Sequence, residues 1–472
     1  MEIISKLSWK KIVFIGIAVL VSQALLLFLL SLDNLTFFEI GTIIFIILSI
    51  YKLEYGLFAI IFLPIFGELS RINLLGQSII LADFLIPLYL LIWFIKSPKK
   101  FNLSRQTQAI IGIVLVFITL AGISLIINLN NIPINESFKG SLYLIRFIFY
   151  ASLFPITLSF LKNKSITQKV FKIVILSTTL IAITGLIQLQ VLPDLRDLTE
   201  FGYDPHINRL VGSWLDPNFI GGFFAFIITI LSGLFFYFKK RKQRIIIVSI
   251  ILFLLIATFL TYSRSAYVAL ATGFLIIGLL KSRKLLISII ILATIGISFS
   301  DRAQQRVGEL YTSATSIIFN TAVNPDPTAR LRIQNWEQTI SLIKEKPFFG
   351  HGYNNLSFVK LEKGFVKSEE INSASGSDSS FLTILATTGI MGLIAYLLIY
   401  LQSVILAFKN WLNKKNSPTF QGFSLGIFAA IPSLIINSVF VNSLLFPQIL
   451  IFFWILLALF HYNLNKPPQS QL

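Results

Sequence analysis

Six polar residues in a chain otherwise dominated by apolar ones set its chemical possibilities. Arg209 precedes Leu210-Val211-Gly212-Ser213-Trp214-Leu215-Asp216-Pro217-Asn218, and Arg264 sits inside Thr261-Tyr262-Ser263-Arg264-Ser265. Arg330 and Arg332 lie just ahead of Trp336, His351 stands between Gly350 and Gly352, and Asp378 belongs to Ser377-Asp378-Ser379-Ser380. The planar, permanently charged guanidinium suits phosphate oxygens, and a carboxylate or imidazole can orient a hydroxyl or take its proton. Asp216 is expected to cap a helix with Pro217 in its first turn, aiming free N–H groups and a positive dipole end at the space near Arg209, where a phosphate would sit. Each residue also has a plainer reading. An arginine at a tight hairpin tip can snorkel to lipid headgroups, Arg330 and Arg332 can be the solvated face of an interfacial helix, Asp378 can be an N-cap, and a lone loop histidine can be polar surface.

Composition says what must hold these residues together. Of 472 residues, 55% are hydrophobic, 14% aromatic and 13% charged, and apolar runs recur that are long enough for a hydrocarbon core of about 30 Å. The expected fold class is an all-α polytopic membrane protein. Spans are expected at 12–31, 35–50, 57–69, 78–95, 108–127, 141–160, 169–189, 217–237, 245–262, 265–280, 285–299, 379–408, 419–438 and 445–462. This gives about 12–14 transmembrane helices, the short third run being the weakest. The chain divides into N-terminal spans (1–189), central spans with a short outer loop at 190–216 (190–300), a long polar loop (301–377), and C-terminal spans with a tail (378–472).

Charge orients the spans. The net charge of +18 would suit nucleic acid had it been pooled in one domain, but the basic residues form short clusters between spans, so no nucleic-acid partner is expected. Lys96 to Arg105, Lys162 to Lys172, Lys239 to Arg244, Lys281 to Lys284 and Lys409 to Lys415 fall in alternate connections, as the positive-inside rule requires. Both termini are then cytoplasmic, the run after Lys6, Lys10 and Lys11 is a signal anchor, and loop 301–377 faces outward. Within that loop, Leu331, Ile333, Trp336, Ile340 and Ile343 fall near helical spacing, predicting an amphipathic helix on the membrane surface that Pro347 ends.

Absent patterns narrow the chemistry. The chain has no Cys, hence no disulfide, thiolate metal site or thiol nucleophile. It has no P-loop, HExxH, Gly-x-Ser-x-Gly or post-strand GxGxxG, so ATP hydrolysis and zinc proteolysis are not expected. No Asp-x-Asp pair stands in an outer loop, and neither metal nor other cofactor is expected.

Taken in order, Arg209 to Asn218, the Thr-Tyr-Ser-Arg-Ser hairpin, Arg332-x-x-x-Trp336 with Pro347-Phe-Phe-Gly350-x-Gly352-Tyr-Asn354, and Asp378-Ser-Ser-Phe-Leu-Thr-Ile-Leu-Ala-Thr-Thr-Gly389-Ile-Met-Gly392 resemble the O-antigen ligase and polymerase superfamily over roughly the C-terminal half. The resemblance implies a C-type membrane glycosyltransferase of the bacterial cytoplasmic membrane. Such an enzyme moves a glycan from undecaprenyl diphosphate to a hydroxyl on a glycan or lipid acceptor at the outer face of the bilayer, inverting the anomeric centre without metal or nucleotide sugar. It further implies that Arg209, Arg264 and either Arg330 or Arg332 hold the diphosphate, and that Asp378 occupies the position that serves the acceptor hydroxyl; His351 is the second candidate for that proton. One departure stands out: ligases of the family typically carry His where this chain has Asp378. The competing reading is a transporter or flippase of lipid-linked glycans, since many spans with charges near them also suit a carrier. The spans show no halved symmetry to favour it.

Overall fold

The computed structural model describes residues 34–74, 77–96, 103–161, 164–201, 203–319, 327–367, 376–464, 466–467 and 471. The signal anchor expected at 12–31 lies outside them. The apolar runs form helices because a helix satisfies every backbone N–H and C=O within the segment, which hydrocarbon demands. They are α1 (Asn34–Tyr51), α2 (Leu53–Phe62), α3 (Leu81–Lys96), α4 (Arg105–Ile127), α5 (Ile134–Phe160), α6 (Lys164–Val191), α7 (Pro217–Phe235), α8 (Arg241–Leu260), α9 (Arg264–Leu280) and α10 (Arg283–Ser298). The polar stretch that follows contributes α11 (Asp301–Phe319), α12 (Pro327–Glu345) and α13 (Leu356–Glu362), and the chain ends in α14 (Ser380–Leu412), α15 (Pro418–Phe440) and α16 (Pro447–Leu464). Among the described residues, eight helices are long and apolar enough to cross a membrane, with shorter apolar helices over Phe38–Tyr51, Leu53–Ile65 and Arg264–Leu280. The chain is an all-α polytopic membrane protein.

The core runs along α7, which packs on α15, α9 and α8. Small residues permit the close approach: a Cβ on Gly233 would lie 2.4 Å from the Gly426 backbone nitrogen, so the two helices meet backbone to backbone. Tight packing of this kind is what drives helix association where lipid is as apolar as the side chains.

Three expectations change on contact with the structure. The third run does not continue as one helix to residue 69. After Phe62, short 3-10 turns follow at Leu63–Ile65 and Gly67–Ser70, then a β-hairpin of β1 (Arg71–Leu74) and β2 (Gln77–Ile80). Gly67 has φ +47° and a Cβ there would lie 2.5 Å from the Ser213 carbonyl oxygen, so the turn is held against the 190–216 loop. The polar loop carries three helices where one was expected. Finally, the helix predicted around Trp336 exists, but its apolar stripe is partly misassigned: Leu331 is 67% and Ile340 40% exposed, whereas Thr339 and Leu342 are fully buried. The buried face is set by docking on α14, the helix α12 packs against.

Candidate functional site

The site is organised by a break in α14. Gly389 has φ +69° and ψ −175°, a conformation essentially reserved for glycine, inside an otherwise continuous helix. The break frees backbone groups, and the loop after α12 takes them up. His351 N–H donates to the Ala386 carbonyl (2.9 Å), Gly352 N–H to the Thr387 carbonyl (3.1 Å), and Ile390 N–H to the Pro347 carbonyl (2.8 Å). Gly350 and Gly352, at φ +67° and +96°, give the loop the curvature for this splice. α4 clamps it from behind: Ser124 Oγ donates to the Thr387 carbonyl (2.6 Å) and accepts from Gly352 N–H (3.1 Å), and Asn128 Nδ2 donates to the Gly350 carbonyl (3.0 Å). The first turns of α14 are therefore anchored to loop and α4 together.

Asp378 stands just before those turns. Ser379, not Asp378, occupies the N-cap position, and no side chain caps the helix. Asp378 has φ +55° and an exposed side chain, so a non-glycine residue in a left-handed conformation presents its carboxylate outward. Its Oδ2 accepts from Asn335 Nδ2 on α12 at 2.9 Å, and Oδ1 makes no hydrogen bond among the described residues. Behind it lies Lys360 of α13, 1% exposed. Its ammonium donates to Asn335 Oδ1 and, at 2.9 Å, to the Gly376 carbonyl. Burial pulls the Lys360 pKa down to about 8, opposed by the nearby Asp378 charge.

A group of arginines stands on the connection 190–216, at the start of α9 and on α11 and α12. Asp216 caps α7 as expected, accepting from Asn218 N–H (2.6 Å) and Phe219 N–H (3.2 Å). Arg209 donates to the Thr261 carbonyl (2.8 Å) and the Tyr262 carbonyl (3.3 Å), stapling its loop to the α8–α9 tip. Burial, and then the charge of Arg306, pulls its pKa down to about 10. Arg264, in the first turn of α9, lies 3.6 Å from Glu309 Oε2, which Arg306 contacts at 2.8 Å. Arg302 donates to the Asn208 and Ile207 carbonyls (both 2.7 Å). Arg332 lies near enough to Asp216 to stabilise its carboxylate, although burial dominates and holds that pKa up. Among the described residues its Nε is buried without a hydrogen-bond partner, as is Trp336 Nε1 one turn along α12. Asp204, its pKa raised first by enclosure and next by Asp216, feels both Arg209 and Asp378. Asp204 thus lies within electrostatic reach of both Arg209 and Asp378.

Residues 249–397 match the family model described as O-antigen ligase. The chain therefore contains an O-antigen ligase segment, which supports a place in that superfamily. Such a place brings glycan transfer at a bacterial membrane, and nothing in the match favours the carrier reading. No curated protein matches the chain. The O-antigen ligase segment contains Arg264, Arg330, Arg332, His351 and Asp378, while Arg209 lies ahead of it. The structure separates the two arginines that the sequence left equivalent: Arg330 is exposed, whereas Arg332 is half-buried and its charge acts on Asp216.

His351 is not brought to the arginines. It is 4% exposed, its Nε2 lies 2.8 Å from the Leu342 carbonyl, and burial depresses its pKa. A neutral ring donating to that carbonyl fixes the splice loop. His351→Gln, which keeps a donor, is expected to leave the transfer rate within about threefold, where loss of a general base would cost about 10²–10⁴-fold; rates on reconstituted protein decide between them. Lys360, Asn335, Arg302 and Arg306 went unnoticed in the sequence. The last two had a signal: Arg302, Arg306 and Glu309 share one face of a helix by their spacing.

Proposed function

We propose that the chain transfers a glycan from undecaprenyl diphosphate to a hydroxyl of a glycan or lipid acceptor at the outer face of the bacterial cytoplasmic membrane. Loop 301–377 then faces outward and both termini lie in the cytoplasm. The observation that carries this reading is the exposed Asp378 carboxylate, oriented by Asn335, with Asp204 linking it electrostatically to the Arg209 side of the site. In the reaction the acceptor oxygen bonds to the anomeric carbon as the carbon–oxygen bond to the diphosphate breaks. The hydroxyl proton passes to Asp378 Oδ1, and the lipid diphosphate leaves with the bonding electrons. Attack from the face opposite the leaving group inverts the centre.

Arg264, Arg332 and Arg209 neutralise the leaving diphosphate, with Arg306 beside them and Arg330 at the rim. Metal is not required where guanidinium groups supply this charge. Glu309 holds Arg264 and Arg306 until phosphate oxygens replace its carboxylate. His351 serves the site by fixing the loop that positions Asp378.

The test is kinetic. Arg264→Ala and Arg332→Ala are each expected to lower kcat/KM for a lipid-diphosphate donor by about 10²-fold or more, the scale of one lost transition-state donor. The KM for the acceptor should stay within about threefold. Turnover near wild type in both variants would overturn the assignment. Lipid-linked donor accumulating on the inner leaflet of a deletion strain would instead support the flippase.

A further inference from the structure

Against the first turns of α14 lies a second polar feature that the transfer reading leaves unused, a cavity of about 100 Å³. We propose that this cavity, lined by Tyr143, Arg146, Tyr150, Tyr353, Asn354 and Thr383, is a subsite for a neutral sugar ring of the acceptor glycan. The inference rests on the transfer reading and adds where the acceptor sits.

The lining is built for a sugar and not for a phosphate. Arg146 Nε lies 2.6 Å from Asp83 Oδ1, to which the Tyr150 hydroxyl also donates at 2.8 Å, and Asp83 Oδ2 accepts from the Ile80 N–H at 3.1 Å. Its charge is therefore balanced locally, whereas the arginines around Arg209 outnumber their acids. The Tyr143 ring stands 5.6 Å from the Arg146 guanidinium carbon. The Tyr353 ring is fixed edge-on against Phe117 with centroids 6.2 Å apart. Among the described residues, neither the Tyr143 nor the Tyr353 hydroxyl has a hydrogen-bond partner. Aromatic faces with convergent polar groups are the usual means of holding a ring whose faces are C–H and whose rim is hydroxyl. The cavity's volume is several times the roughly 10–15 Å³ that admits one water, so it holds more than a single solvent molecule.

Position links the cavity to the reaction. Thr383 Oγ1 accepts from the N–H of Ser377, the neighbour of Asp378, at 3.0 Å. The cavity thus shares the first turns of α14 with the carboxylate but does not contain it. The ring it takes is one linked to the sugar that reacts, not the reacting sugar. Gly140 lets the Tyr353–Asn354 turn close on α5, since a Cβ there would lie 2.6 Å from the Tyr353 carbonyl oxygen.

The test uses the full-length protein in nanodiscs and saturation-transfer NMR with methyl glucopyranoside, galactopyranoside, mannopyranoside and N-acetylglucosaminide as probes. At least one should receive saturation from the wild type. Tyr143→Phe and Tyr353→Phe, which keep the rings, should each weaken that signal at least about fivefold, while binding of inorganic pyrophosphate stays within about twofold. No transfer to any glycoside, or unchanged transfer in both variants, overturns the subsite. Failure of the wild type to bind pyrophosphate would count against the diphosphate reading and leave the cavity assignment standing.

Discussion

Asp378→Asn is expected to lower transfer by about 10²–10⁴-fold, the range for losing a general base, with donor KM unchanged within about threefold. The amide can still take the Asn335 hydrogen bond through its oxygen, so geometry survives while the proton acceptor does not. The chain behind it gives a second readout. Lys360 holds its proton below about pH 8 and loses it above, and with that proton goes the cation that grips Asn335 and the Gly376 carbonyl. Wild-type transfer should therefore fall as pH rises through about 8. In Lys360→Met that alkaline limb should disappear from an already lowered profile. A pH–rate profile of the two proteins checks this, and an identical limb in both would remove Lys360 from the account.

Gly389→Ala is expected to damage the fold itself. The backbone there lies in a region that costs other residues about 1–3 kcal/mol, and an added Cβ would lie 2.1 Å from the Phe348 carbonyl carbon. Either the loop leaves α14 or α14 straightens, and both outcomes move Asp378. The expected result is a thermal midpoint lowered by several degrees together with loss of transfer, read by a thermal shift in detergent and by the rate assay. Gly112→Ala, where a Cβ meets nothing within 4 Å, is the control and should change neither.

How much of this was legible beforehand varies with its physical origin. Helical spans could be read because a bilayer forces long apolar runs and internally satisfied backbones. Arg209, Arg264 and Asp378 stood out because charge next to such runs is costly. The cap formed by Asp216 and Pro217 is local chemistry and followed from four residues. Lys360 and Asn335 could not be read, since their roles depend on α12, α13 and the start of α14 meeting in space. The same applies to the face of α12, where docking buried Thr339 and Leu342 and left Leu331 outside. The break of the third run into 3-10 turns after Phe62 turned on Gly67 meeting the Ser213 backbone, a contact far apart in sequence. Gly389 was visible as one residue of a motif, but nothing local says that a loop of the same chain will be spliced in there.

That splice bears on how the protein is made. Ser124 and Asn128 leave the ribosome some 260 and 220 residues before Thr387 and Gly350, the backbones they bind. Until the later segments arrive, the Ser124 hydroxyl lacks the Thr387 carbonyl, and Asn128, bonded locally to the Ser124 carbonyl, lacks the Gly350 carbonyl and the Lys346 ammonium. A chain stopped before residue 350 would leave them so, whereas one stopped after residue 412 would not. The step from tolerated to rejected nascent chains should therefore fall between those points, making membrane quality control a reporter of site assembly.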